Sequence, residues 1–166
     1  KSEPFIDDFD DGNHNGWTVS GTWSAANGYV TRTSAPFGAF YRSQSDRDID
    51  LRFRFRLPNA GDELNMYLRY VDANNGTFLD LADNDVRIAK KAGGVWTDLV
   101  NNTGVDLAPG TWYTVRALCA GAHIRVWLGE DGGPLELILE TSAAPTTNPT
   151  RLIFQSPDNT AFHVDD

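Results

Sequence analysis

The sequence predicts an all-β chain, a two-sheet antiparallel β-sandwich. Three observations carry that expectation. Apolar and polar side chains alternate with period two in run after run, and no window sustains a helical period. Turn residues recur about every 8–12 positions, the spacing of sandwiches and barrels. Gly and Pro fall in clusters between the apolar runs.

The clearest element is 48–57. Ile49, Leu51, Phe53, Phe55 and Leu57 point one way, and Asp48, Asp50, Arg52, Arg54 and Arg56 the other, so one face is core and one is polar. In 64–70, Leu64, Met66, Leu68 and Tyr70 are expected inward, with Asn65, Tyr67 and Arg69 outward. After the turn at Asp72–Gly76, residues 77–82 place Leu79 and Leu81 inward and Phe78 and Asp80 outward. Residues 85–90 place Val86 and Ile88 inward. Gly93-Gly94 turns the chain into a strand near 95–100.

Further on, 111–119 puts Tyr113, Val115, Ala117 and Cys119 on one face and Trp112, Thr114, Arg116 and Leu118 on the other. A hairpin at Gly121 leads to 122–128, with Ile124, Val126 and Leu128 inward and His123, Arg125 and Trp127 outward. Gly132-Gly133-Pro134 precedes 135–139, and a Pro-rich loop precedes strands near 151–155 and 161–164. The expectation is roughly twelve short strands in one domain, 1–166.

The chain has 166 residues, 40% apolar and 22% charged, enough for a packed core and against disorder. The net charge of −9 disfavours nucleic acid and anionic membrane surfaces as partners, and no run of Lys and Arg offsets it. No stretch approaches the ~18 apolar residues of a helical membrane span. Cys119 is the single cysteine, so no intrachain disulfide forms; within its alternating run it reads as a small buried hydrophobe.

The opening Phe5-Ile6-Asp7-Asp8-Phe9-Asp10-Asp11, then Gly16-Trp17 and Gly21-Thr22-Trp23, resemble the start of concanavalin A-like, laminin-G-type jelly-roll domains of bacterial secreted glycan-active proteins. The same holds for Leu68-Arg69-Tyr70 followed by Asn74-Asn75-Gly76, for Gly110-Thr111-Trp112-Tyr113 with its hairpin, and for the closing Phe162–Asp166. The resemblance implies a curved sandwich with a glycan site on its concave sheet or edge loops. The leading expectation is a secreted, monomeric carbohydrate-binding module, tethered to other domains of a larger polysaccharide-active protein. Catalytic domains share this fold, so a lyase or glycoside hydrolase is the alternative. A structural or adhesion domain without a glycan ligand is the second.

Glucanases of this fold carry Glu-x-Asp-x-Glu on one strand, placing the carboxylates on one face. This chain has no such run; Asp46, Asp48 and Asp50 have the spacing but read as solvated charge at a strand entrance, and 135–140 lacks the alternation. Alginate lyases of this fold use an Arg-rich strand with Gln-x-His. Arg52, Arg54 and Arg56 form an Arg row, but Gln-x-His is absent and His14, His123 and His163 are scattered. No Gly-x-Ser-x-Gly is present. No catalytic residue is therefore assigned.

Calcium takes ~6–8 oxygen ligands. Asp7, Asp8 and Asp10, with Asp165 and Asp166 brought near if the terminal strands pair, are candidates for a structural Ca2+, an expectation the resemblance supports. A solvated acidic turn is the other reading. Zinc lacks a ligand set.

A sugar offers an apolar face and a rim of hydroxyls, which aromatic platforms flanked by polar groups recognise. Tyr67, Arg69, Phe78, Asp80 and Arg87 form one outward group within cross-strand reach, ~5–8 Å. Trp112, Arg116, Arg125 and Trp127 form a second. Trp17 and Trp23 read as packing residues, and Trp96 as a loop platform. The outward arginines fit either acidic-glycan recognition or cross-strand pairing with Asp48, Asp50 and Asp80.

Overall fold

The computed structural model describes residues 9, 11–13, 15–32, 38–43, 45–156 and 162–165. Its strands are β1 (Thr18–Ser20), β2 (Trp23–Ala26), β3 (Tyr29–Arg32), β4 (Gly38–Ser43), β5 (Ile49–Arg56), β6 (Glu63–Asp72) and β7 (Asn75–Ala82). They continue as β8 (Asp85–Ala92), β9 (Val95–Asn102), β10 (Trp112–Ala120), β11 (His123–Glu130), β12 (Glu136–Thr141), β13 (Arg151–Ser156) and β14 (Phe162–Asp165). Two seven-stranded sheets result. The first runs β1-β4-β13-β6-β7-β8-β9 and the second β12-β11-β10-β5-β14-β3-β2. Neighbouring strands pair antiparallel throughout the described residues.

The inner faces follow from the alternation. Phe53 and Phe55 of β5, Val115, Ala117 and Cys119 of β10, and Ile124 and Val126 of β11 come from the second sheet. They meet Leu64, Met66 and Leu68 of β6, Leu79 and Leu81 of β7, and Val86 and Ile88 of β8. Each large apolar side chain removed from water contributes about 1.5–3 kcal/mol. Trp17 closes the core at the β1–β4 side, stacked on Phe40 at 4.3 Å. Cys119 is 1% exposed, and burial pushes its thiol up to about 11. It is a core residue.

The alternation fails at one place that matters. Tyr67 of β6 pairs with Phe78 and Arg69 with Thr77, so the register shifts between them and Leu68 is the extra residue of a β-bulge. The bulge resets the phase of the strand. Arg69, expected outward, turns inside and is 1% exposed. Tyr70, expected inward, joins the outer-face cluster with Tyr67.

A second departure is the β2–β3 hairpin, which no alternating run marks. Asn27 (φ 58°) and Gly28 (φ 75°) form its two-residue turn, with positive φ at both central positions. Such turns match the twist of antiparallel strands, and Asn-Gly accepts them with the least strain.

Candidate functional site

Three cross-strand rungs build the outer face of the first sheet. The middle rung runs Tyr41, Ile153, Tyr67, Phe78, Ala89 and Asp98 from β4 to β9. The rung on one side runs Ala39, Gln155, Asn65, Asp80, Arg87 and Asn101. The rung on the other side runs Arg151, Tyr70, Gly76, Lys91 and Trp96.

The middle rung is apolar and buried from Ile153 to Ala89. Tyr67, Phe78, Ala89 and Ile153 are buried on this outer face, with Ala39, Tyr41 and Tyr70 packed around them. The Phe78 ring meets Trp96 edge-on at 4.5 Å, and Tyr67 meets Tyr70 edge-on at 5.4 Å. These are the offsets that aromatic quadrupoles favour. Trp96 lies in strand β9, not in a loop, and stays 46% exposed. Gly76 makes room for this arrangement. A Cβ there would stand 3.1 Å from Cδ1 of Tyr67 and 2.9 Å from the carbonyl oxygen of Arg69. Burial holds the Tyr67 hydroxyl above its ordinary pKa, against a hydrogen bond with Gln155 that acts to lower it.

The polar rung is internally satisfied. Asn65 Nδ2 donates to Asp80 Oδ1 at 3.0 Å. Arg87 donates to Asp80 Oδ2 from Nε at 2.9 Å, and its Nη2 lies 2.8 Å from the same oxygen. Asp85 and Asp98 stand 3.5 and 3.9 Å from Arg87 Nη1. Asp80 is 2% exposed, and burial pushes its carboxyl up against the pull of Arg87. For Arg87, burial acts to lower the pKa, but Asp80, with Asp98 and Asp85, outweighs it and holds the guanidinium above its ordinary value. The rung offers a fixed hydrogen-bonding edge beside an apolar floor.

Arg69 does not belong to this face. Its Nε donates to the Arg47 carbonyl at 2.9 Å, Nη1 to Pro145 at 2.7 Å and Nη2 to Gly121 at 2.8 Å. Asp48 lies 3.7 Å away. The guanidinium ties three loops of the sandwich together, a positioning role that strict alternation hides.

Trp112, Arg116, Arg125 and Trp127 lie on the outer face of the second sheet, so the two expected groups occupy opposite sides of the sandwich. There the arginines are occupied. Arg116 donates to both oxygens of Asp50 at 2.8 and 2.7 Å and lies over the Trp127 ring at 5.3 Å. Arg125 pairs with Glu140 at 2.7 Å, and Arg54 with Asp131 at 3.4 Å. Arg54 and Arg56 both lie over Trp112, at 5.2 and 5.1 Å. Cross-strand pairing accounts for these arginines, as the simpler of the two expectations had it.

The calcium expectation rests on Asp7, Asp8, Asp10 and Asp166, which lie outside the described residues. Asp165 is described through its backbone alone, paired with Arg54 in β14–β5. The neighbouring Asp11 is engaged locally, accepting from the Asn13 backbone N–H at 3.0 Å and from the Asn13 side chain. Among the described residues no three His, Cys, Asp or Glu side chains gather to hold a metal.

Two seven-stranded antiparallel sheets around one core define a concanavalin A-like jelly roll, the fold shared by the carbohydrate-binding module and lectin structures below. Sequence places it more narrowly: the model of the 3-keto-alpha-glucoside-1,2-lyase-like domain matches residues 4–132, and the chain belongs to that family. No curated protein sequence matches it.

Solved structures share the fold. The carbohydrate binding module CBM66 from Bacillus subtilis aligns with a TM-score of 0.74 at 16% identity, over 93% of this chain and 98% of that one. The exoplasmic/lumenal domain of VIP36, in its Ca2+-bound form, aligns at 0.72 and 11% identity, over 92% and 84%. The GH43 protein BlXynB from Bacillus licheniformis aligns at 0.71 and 13% identity, over 96% of this chain and 38% of that one. At such identities the likeness is one of fold.

Proposed function

We propose that this chain is a non-catalytic carbohydrate-binding module of a larger secreted polysaccharide-active protein, and that the outer face of the first sheet receives the glycan. One observation carries the reading. Trp96, 46% exposed, stands against buried Tyr67 and Phe78 in one aromatic cluster, beside the Asn65–Asp80–Arg87 edge. A sugar needs that combination, since its apolar ring face stacks on aromatic carbon while its hydroxyls meet fixed donors and acceptors. The fold shared with CBM66 and VIP36 supports the same reading.

A catalytic reading is favoured by one finding, the lyase in the family's description. Elimination across C1 and C2 of a 3-keto sugar needs a base free to take the C2 proton. On this face Asp80 has both oxygens engaged, and Asp85 and Asp98 gather on the same Arg87. Among the described residues, His123 lines a shallow depression on the opposite face, with Leu118, Ala120 and Arg125. Binding chemistry fits these groups better than proton abstraction does.

The test is a polysaccharide screen, neutral and acidic, with calcium and with a chelator, in which bound glycan and released product are both measured. Retention without product supports the module. Reducing ends, unsaturated products or cleavage of a 3-keto-glucoside overturn the non-catalytic reading. Loss of binding in chelator assigns the terminal acids their calcium; binding unchanged by chelator removes that role.

A further inference from the structure

The rung Arg151–Tyr70–Gly76–Lys91–Trp96 differs from its neighbours in a way that bears on ligand charge. Its two cations stand toward opposite ends, on β13 and β8, with aromatic rings against each. The Arg151 guanidinium lies 4.5 Å from the Tyr41 ring centroid and 5.8 Å from that of Tyr70. Lys91 Nζ lies 4.8 Å from the Trp96 centroid and donates to the Ala73 carbonyl.

Arg87, Arg116, Arg125 and Arg54 each meet a carboxylate within 4.0 Å. Arg151 does not: it is exposed and makes no ion pair among the described residues. Lys91 makes none either, although Asp72 is near enough to feel its charge. The Arg151 guanidinium lies over two tyrosine rings and meets no carboxylate among the described residues, and a guanidinium edge matches a planar carboxylate in two parallel hydrogen bonds.

We infer that this rung is a subsite for a uronic acid unit, with the sugar carboxylate on the Arg151 edge and the ring along Tyr70 toward Trp96. The inference rests on the binding-face reading above and names the ligand class of that site. The charge distribution fixes the orientation. The opposite rung gathers Asp80, Asp85 and Asp98 around the single Arg87, a surplus of negative charge that turns a carboxylate away. The chain carries −9 overall, so a polyanion is not drawn in by net charge; recognition is local.

The experiment titrates the intact domain with oligogalacturonates, with the same oligomers after carboxyl reduction to neutral sugar, and with dextran sulfate. The expected result is binding of the oligogalacturonate about tenfold or more tighter than of its reduced form, with Arg151→Gln removing that preference while unfolding as the native chain does. Arg151→Lys, which keeps the charge but not the planar fork, is expected to fall between them. Equal affinity for the reduced oligomer at the same face, or no effect of Arg151→Gln, overturns the uronate assignment and leaves the binding-face reading standing. Preference for dextran sulfate over oligogalacturonate overturns it in favour of sulfated glycans. Absence of binding to every glycan overturns both.

Discussion

The two outer faces of this sandwich use the same residue types to different ends. On the second sheet, arginines and tryptophans form closed couples: Arg116 with Asp50 and Trp127, Arg125 with Glu140, Arg54 and Arg56 over Trp112. Arg116, Arg125 and Arg54 each have a carboxylate partner, and these couples stay in water, where each contributes little. On the first sheet, Tyr67 and Phe78 are buried although they point away from the core, and among the described residues Arg151 and Lys91 at one edge of the cluster meet no carboxylate. Residue type does not separate a binding face from a solvated one. What separates them is whether aromatic surface is gathered into one cluster on the outer face and whether cations at its edge are left without a carboxylate among the described residues.

The largest expected effect comes from the residue that belongs to neither face. Arg69→Met strands three loop carbonyls and removes a buried cation, and is expected to cost about 3–5 kcal/mol in chemical denaturation. A loss below about 1 kcal/mol would mean that the three loops hold their places without it.

Next is a core effect that glycan binding does not share. The Cys119 thiol titrates near 9.0 when unfolded and about 11 when folded, so the unfolded chain loses its proton first. Stability is therefore retained below pH 9 and falls as pH rises toward 11, by up to about 3 kcal/mol. Tyr67, also held up by burial, acts in the same direction. Cys119→Ala is expected to flatten the alkaline part of a pH–stability profile; an unchanged slope would assign that loss to other groups.

Gly76→Ala bears directly on the aromatic cluster. The added methyl meets Tyr67 and the Arg69 carbonyl, and overpacking of this kind costs about 1–3 kcal/mol. Because Tyr67 must move, glycan affinity is expected to fall along with melting temperature. The smallest effect is on the other face. Asp50→Asn breaks the Arg116 couple and should change stability by less than about 1 kcal/mol at neutral pH, with no change in glycan binding. The hydrogen bond from Arg116 holds Asp50 below its ordinary pKa, so what the couple contributes is present above pH 3.8 and is lost as pH falls through the lower folded value.

Much of the fold was legible because period two is a direct record of which face is buried. Leu79, Leu81, Val86, Ile88, Ile124 and Val126 point where the alternation places them. The site was legible in part. Tyr67, Phe78, Asp80 and Arg87 share a face as expected. Arg69 was hidden because a single extra residue reverses the phase of everything after it, and a bulge leaves no mark in the alternation itself.

Tyr41 and Arg151 were missed because they reach the cluster through β4 and β13, strands distant in sequence that antiparallel pairing brings beside β6. Pairing order across a sheet is a tertiary property. The β2–β3 hairpin had a local signal, Asn27-Gly28, of the kind that marks two-residue turns.

The measurement that tests the account most directly is a pair of tryptophan substitutions, one on each outer face, read by glycan affinity. Trp96→Ala removes the exposed platform of the first sheet, and Trp127→Ala the stacked ring of the second. Stacking of a sugar ring on an exposed aromatic ring is worth about 1.4 kcal/mol, tenfold in affinity. Trp96→Ala is expected to weaken binding about tenfold or more and Trp127→Ala to leave it unchanged, both variants folding as the native chain does. Loss of binding with Trp127→Ala and retention with Trp96→Ala would contradict it and move the glycan to the opposite face.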